Sequence, residues 1–128
     1  MENSRLVVDT SVFIDYLRAK SKKGTELYRI SSSKRICISA VTLYELLMGA
    51  TSEQKKEDVR LLTEDIIVLP FDEEVSVRAS DIYHDLRKIN KMIEFRDIFI
   101  AASCLRYNLP IKTMNRSHFQ RIKGLKLE

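Results

Sequence analysis

The sequence predicts an α/β chain with a mostly parallel sheet and helices on both of its faces. Short apolar runs alternate with longer helical patterns, which is the signature of βαβ units. The first run, Leu6-Val7-Val8, is apolar without alternation, as suits a parallel strand buried on both faces. No internal repeat, low-complexity segment or linker interrupts the 128 residues, so 1–128 is expected to form a single domain.

Composition agrees with that class. A chain of 128 residues can bury a real core, and 45% hydrophobic residues suit an ordinary soluble protein. Three Gly and two Pro leave little room for long irregular loops. No apolar run approaches the ~20 residues that a membrane span needs, so no membrane partner is expected. Met1-Glu2-Asn3-Ser4-Arg5 leads straight into the first strand without a signal-peptide pattern. Cys37 and Cys104 each lie inside an apolar segment and read as reduced core thiols of a cytoplasmic protein. No Cys/His spacing suggests zinc. Lys and Arg number 22 against 18 Asp and Glu, a net charge of +4, which favours polyanion partners.

In order, Leu6–Val8 forms the first strand and ends at Asp9. A helix starts at Thr10 or Ser11, with Val12, Phe13, Tyr16 and Leu17 at helical spacing. The basic run Arg18 to Gly24 is a loop, either a solvated connection or a phosphate-facing lip. Thr25 to Ile30 is helical and Ser31-Ser32-Ser33 ends it. Arg35-Ile36-Cys37-Ile38 is a second strand. Ser39 to Gly49 follows as a helix apolar on nearly all sides, expected to be buried, with Gly49 as its C-terminal cap. Ser52 to about Glu64 is a charged, solvated helix. Ile66 to Leu69 is a third strand closed by Pro70. Asp72-Glu73-Glu74 opens a long helix, its acids favoured by the helix dipole. Val75, Ala79, Ile82, Leu86 and Ile89 form the buried stripe of that helix. Ile93 to Leu105 is a further helix, and Asn108-Leu109-Pro110 breaks it. Ile111 to Met114 is a fourth strand, followed by a turn or short helix at 115–119 and a strand-like Leu125-Lys126-Leu127.

Three acids share a feature in this scheme. Asp9 ends a strand, and Glu45 and Asp97 each lie in the first turns of a helix. With parallel strands, all three sit at one edge of the sheet, where open α/β sheets bind ligands. Each has a structural alternative. Asp9 can cap a helix, Glu45 can close a capping box with Thr42, and Asp97 can answer the helix dipole or pair with Arg96 or Arg106. Gathered carboxylates raise one another's pKa unless a cation intervenes. A hard divalent ion such as Mg²⁺ resolves the conflict and suits phosphoester chemistry.

Four segments carry a resemblance that spans nearly the whole chain. They are Val7-Val8-Asp9-Thr10-Ser11-Val12, Ser39-Ala40-Val41-Thr42-Leu43-Tyr44-Glu45-Leu46, Arg96-Asp97-Ile98-Phe99-Ile100-Ala101-Ala102 and Thr113-Met114-Asn115-Arg116-Ser117-His118-Phe119. In their order and spacing the chain resembles PIN-domain proteins, and among them the VapC-type toxin ribonucleases. The resemblance implies a three-layer α/β/α PIN-like fold, a Mg²⁺ or Mn²⁺ site and endonucleolytic cleavage of RNA. It also implies a homodimer and a small VapB-like antitoxin. Asp9, Glu45 and Asp97 fall on the family's metal-site acids, and Ser11 on a hydroxyl that bonds a carboxylate or a water on the ion. The sequence departs from the pattern at His118, where PIN proteins often carry a fourth acid. His118 can contact phosphate, shuttle a proton or be a plain surface residue. Asn115 can orient a carboxylate or a water, and Glu94, one turn before Asp97, can be a spare or outer ligand. Arg96, Arg116, Arg121 and Lys123 are candidates for RNA-phosphate contact or ordinary surface cations.

The expected chemistry is hydrolysis by an ion-activated water attacking a phosphodiester in line. The competing reading is a catalytically weak PIN module that binds RNA or a protein partner. A haloacid-dehalogenase-type phosphotransferase fits poorly, because position 11 is Ser where that motif needs a second Asp. A receiver domain fits poorly too, because Asp72 lies beyond Pro70 and opens a helix.

Overall fold

The computed structural model describes residues 4–30 and 32–128. Met1-Glu2-Asn3 and Ser31 lie outside the described residues, and with them the expected lead-in to the first strand and part of the serine run.

Four strands, β1 (Ser4–Val8), β2 (Lys34–Ser39), β3 (Ile67–Leu69) and β4 (Ile111–Lys112), form one sheet in the order β3-β2-β1-β4. Every pairing is parallel: Val7 faces Cys37 and Ile111, and Ile38 faces Val68. The helices are α1 (Thr10–Arg18), α2 (Glu26–Arg29), α3 (Ala40–Gly49), α4 (Glu53–Thr63), α5 (Glu73–Lys88), α6 (Phe95–Tyr107) and α7 (Arg116–Phe119). A 3₁₀ turn at Lys22–Gly24 lies within the basic run. There Lys22 Nζ donates to the carbonyls of Tyr16 and Leu17 at 2.6 and 3.0 Å, closing the end of α1. That is the structural rather than the phosphate-facing role for this lysine.

Successive strand residues point to opposite faces, so β1 feeds two cores. Leu6 and Val8 pack with Ile38 and with Val12, Phe13, Leu46 and Val59 of α1, α3 and α4. Val7 packs on the other face with Cys37, Ile111, the α5 stripe Val75, Ala79, Ile82 and Leu86, and the small-residue body of α6. The result is the expected sheet between helical layers. Both cysteines are buried free thiols, and burial raises the pKa of each. No described helix is long and apolar enough to cross a membrane.

The winding reverses at β1. From there the chain moves outward to β2 and β3, then returns past β1 to lay down β4 on its other side. The carboxyl ends of β1 and β4 therefore flank a topological switch point, the place where open α/β sheets hold ligands.

Several boundaries differ from expectation for physical reasons. Gly49 does not cap α3 from outside. It is the last helical residue, and Ala50 takes the cap position, its N–H bonding the Leu47 carbonyl. The helix is not buried all round either: Tyr44, Leu47 and Met48 are exposed, because α3 sits in an outer layer and packs on one side. Ile89 is 55% exposed and falls outside the α5 stripe, because α5 ends at Lys88 and Asn90 turns the chain with φ 54°. The next helix starts at Phe95, two residues later than expected, since the Glu94 carbonyl accepts its first bond from Ile98. It runs on to Tyr107, where left-handed Asn108 (φ 55°) and the bond from Leu109 N–H to the Cys104 carbonyl stop it. The expected C-terminal strand is reduced to one parallel bridge between Ile111 and Leu127.

Candidate metal centre

Asp9 directly follows β1 and takes the N-cap position of α1 with an extended backbone, yet its side chain caps nothing. Two hydroxyls hold its carboxylate instead. Ser11 Oγ donates to Oδ2 at 2.7 Å and Thr113 Oγ1 donates to the same oxygen at 2.8 Å. Both hydroxyls also accept backbone N–H groups, from Met114 at 3.1 Å and Asn115 at 2.9 Å. The chain leaving β4 is thereby tied to the end of β1. Asp9 is only 2% exposed. Its Oδ1 has no hydrogen-bond partner among the described residues, yet no buried side-chain N or O there goes unsatisfied. Oδ1 therefore keeps an opening to solvent.

Glu45 lies in the second turn of α3. The capping-box alternative fails, because Ser39 is the cap: its Oγ accepts from Thr42 N–H at 3.0 Å. Glu45 Oε1 instead accepts from Thr10 Oγ1 at 2.8 Å. Thr10 has a single hydroxyl hydrogen, so across its 3.0 Å contact with Thr42 it accepts. Thr42 in turn accepts from Ser39 at 3.2 Å. A relay of three hydroxyls thus runs from the end of β2 to Glu45. The other carboxylate oxygen, Oε2, is paired with Arg96 Nη1 at 3.2 Å. Arg96 also holds Glu94 at 2.7 Å, and this bond draws the exposed Glu94 carboxyl below its usual range.

Asp97 stands in the first turn of α6, mostly buried, and His118 Nδ1 lies 3.0 Å from its Oδ2. Burial pushes its carboxyl above the ordinary range. The His118 bond opposes that rise, and the nearby negative charge of Asp9 adds to it. Asp9 and Asp97 therefore form the like-charge conflict that a cation relieves.

The remaining predicted residues are placed as follows. The Asn115 backbone joins the Thr113 bond, while its side chain caps no helix. Glu94 is on the solvent side of Arg96. Arg116 donates to the Glu128 carbonyl at 2.8 Å, and Arg121 to the carbonyls of Lys91 and Met92 at 3.4 and 3.3 Å. Arg121 and Lys123 line a groove against Leu86 of α5 and Ile89 just past its end, and the groove contains none of the three acids. Arg96 is the one of the four cations that touches the acids. Thr113 is not singled out by the sequence, and Thr10 and Thr42 enter there only as a helix start and a capping-box partner. Position was the available signal for Thr113, since it follows a strand at the same edge as Asp9.

As they stand, no three His, Cys, Asp or Glu side chains among the described residues gather tightly enough to enclose an ion. The donor set still fits a hard divalent cation. Asp9 and Asp97 each retain an oxygen outside their hydrogen bonds, and Mg²⁺ is usually held by one or two carboxylates with water and substrate phosphate. Glu45 can join once Arg96 releases Oε2.

The PIN domain model matches residues 6–125. The chain belongs to the PIN-domain family. Its curated relatives are VapC-type members of that family. "Ribonuclease VapC1" of Methanocaldococcus jannaschii is 31% identical, over 98% of this chain and 88% of that protein. "tRNA(fMet)-specific endonuclease VapC" of Shigella flexneri is 28% identical, over 97% of this chain and 96% of the relative. Among solved structures, VapBC-1 from nontypeable Haemophilus influenzae superposes with a TM-score of 0.83 at 28% identity, covering 97% of this PIN protein and 96% of that chain. DNA-bound VapBC from Salmonella typhimurium gives 0.80 at 26% identity, covering 98% and 97%.

Proposed function

We propose that this VapC-type PIN protein, taken as one domain, is a Mg²⁺- or Mn²⁺-dependent endoribonuclease and the toxin of a toxin–antitoxin pair. The observation that carries the reading is two carboxylates near enough for the charge of Asp9 to act on Asp97, each with one oxygen held by protein donors and one left over. When bound there, the ion supplies Lewis-acid stabilisation of charge on the phosphodiester and lowers the pKa of an attacking water. The protein's own groups do the rest. Ser11 and Thr113 fix the Asp9 carboxylate, and His118 fixes that of Asp97. Thr10 and Arg96 hold Glu45. Arg96, half exposed between two acids, is placed to move from Glu45 to an RNA phosphate.

Partners follow the same logic. The similar solved chains come from VapBC complexes, which supports a small VapB-like antitoxin. A groove of about 220 Å³ between α1, α3 and α4, with Glu45 in its wall, supports docking beside that acid. The exposed Tyr44, Leu47 and Met48 of α3 support burial against a second copy in a homodimer. Two buried free thiols suit the reducing cytoplasm.

One observation favours the second reading, a catalytically weak module: both Glu45 oxygens are already occupied. The test is cleavage of varied RNAs with Mg²⁺, Mn²⁺ or chelator, comparing wild type with Asp9→Asn and Asp97→Asn. The reading expects ion-dependent cleavage that falls at least about 100-fold in each variant. Cleavage that survives both substitutions would overturn the site. RNA binding without cleavage would establish the weak module.

A further inference from the structure

We infer that His118 limits this site to a single divalent ion by engaging one oxygen of Asp97; the inference rests on the metal reading above. Two divalent ions about 3.5–4 Å apart call for more carboxylate oxygens and more negative charge than one ion does. Neither acid offers both oxygens unengaged. Asp9 Oδ2 already accepts two hydroxyls. Asp97 Oδ2 faces His118 Nδ1 at 3.0 Å. A carboxylate oxygen accepts, so Nδ1 carries the hydrogen of that bond. What is left is one oxygen on each acid, enough for one ion completed by water and phosphate.

The imidazole is well supported in this position. His118 lies in α7, its own N–H bonds the Asn115 carbonyl at 3.1 Å, and the next residue, Phe119, is fully buried in the core. These contacts fix the backbone from which the ring reaches Asp97. An imidazole here also adds no negative charge to the site. A carboxylate in its place would stand beside Asp97 and supply both the ligand and the charge that a second cation needs. His118 is thus a positioning residue that acts through Asp97.

The test is titration with Mn²⁺, read by loss of the free-ion electron paramagnetic resonance signal, with fold monitored by circular dichroism. Wild type should bind one Mn²⁺ per protomer, and His118→Asp should gain a second. His118→Ala should still bind one, about 10–100-fold more weakly, since the carboxylate loses its orienting donor. His118→Asn, whose amide can donate the same bond, should recover most of that loss. Two ions on the wild type would overturn the inference even if the aspartate variant failed to fold. A single ion on folded His118→Asp, or unchanged affinity in His118→Ala, would overturn it as well. A wild type that binds no Mn²⁺ would remove the metal reading itself, and the inference with it.

Discussion

At the scale of single residues, the site is a set of acids held by hydroxyls that come from far along the chain. Thr113 reaches Asp9 across 104 residues and Thr10 reaches Glu45 across 35. The acids were legible in the sequence because a carboxylate after a strand, or early in a buried helix, is conspicuous there. Their partners were not, because a threonine beside a strand looks like any other β-branched residue until the sheet order is known. Thr113→Val tests that role. It removes the donor to a nearly buried carboxylate, which should cost about 1–3 kcal/mol of stability by denaturant titration. Metal affinity should fall about 10–100-fold. Asp97 makes a pH prediction. Burial and Asp9 raise its folded-state pKa above the unfolded value, so the folded chain holds its proton more tightly. That contribution to stability is present below the unfolded value and lost as pH rises through the raised folded one. Metal-free wild type should therefore lose more melting temperature than Asp97→Asn on going from acid to neutral pH. Millimolar Mg²⁺ should restore the wild type and leave the variant unchanged.

At the scale of elements, strand and helix order could be read from period and caps, and the ends could not. Asp72 and Ser52 cap α5 and α4 with bonds to Val75 and Lys55 N–H, as local chemistry indicates. Gly49 misled, because a glycine near the end of an apolar run has the same sequence signature inside the last turn as beyond it. Its backbone is not left-handed and an added Cβ would meet nothing within 4 Å. Gly49→Ala should thus raise stability by about 0.5–1 kcal/mol, measured by urea unfolding. Ser39→Ala should lower it by about 1 kcal/mol through loss of the α3 cap. It also takes the first hydroxyl from the relay to Glu45. A fall in cleavage at unchanged fold would show that the relay reaches the chemistry. The apolar look of α3 predicted burial, yet three of its large side chains face outward. Pattern reports that a face is apolar, and only packing says what covers it.

At the scale of the whole molecule, two cores on opposite faces of a parallel sheet fix which strand ends lie side by side. The fold class was legible because alternating strands and helices admit few layer arrangements. The order β3-β2-β1-β4 was not, because each apolar run would suit several sheet positions. Yet that order is what puts Thr113 and Asp9 side by side at the switch point. Phe119 links the core to the site through its neighbour His118, and Phe119→Ala should cost about 3–5 kcal/mol and weaken metal binding together. The central claim is that Asp9 and Asp97 hold a divalent ion, and an anomalous difference map from crystals grown with Mn²⁺ tests it most directly. The account predicts a peak between these two carboxylates, in contact with Oδ1 of each. A protein with the fold intact and no peak there, or with the ion bound elsewhere, would contradict it.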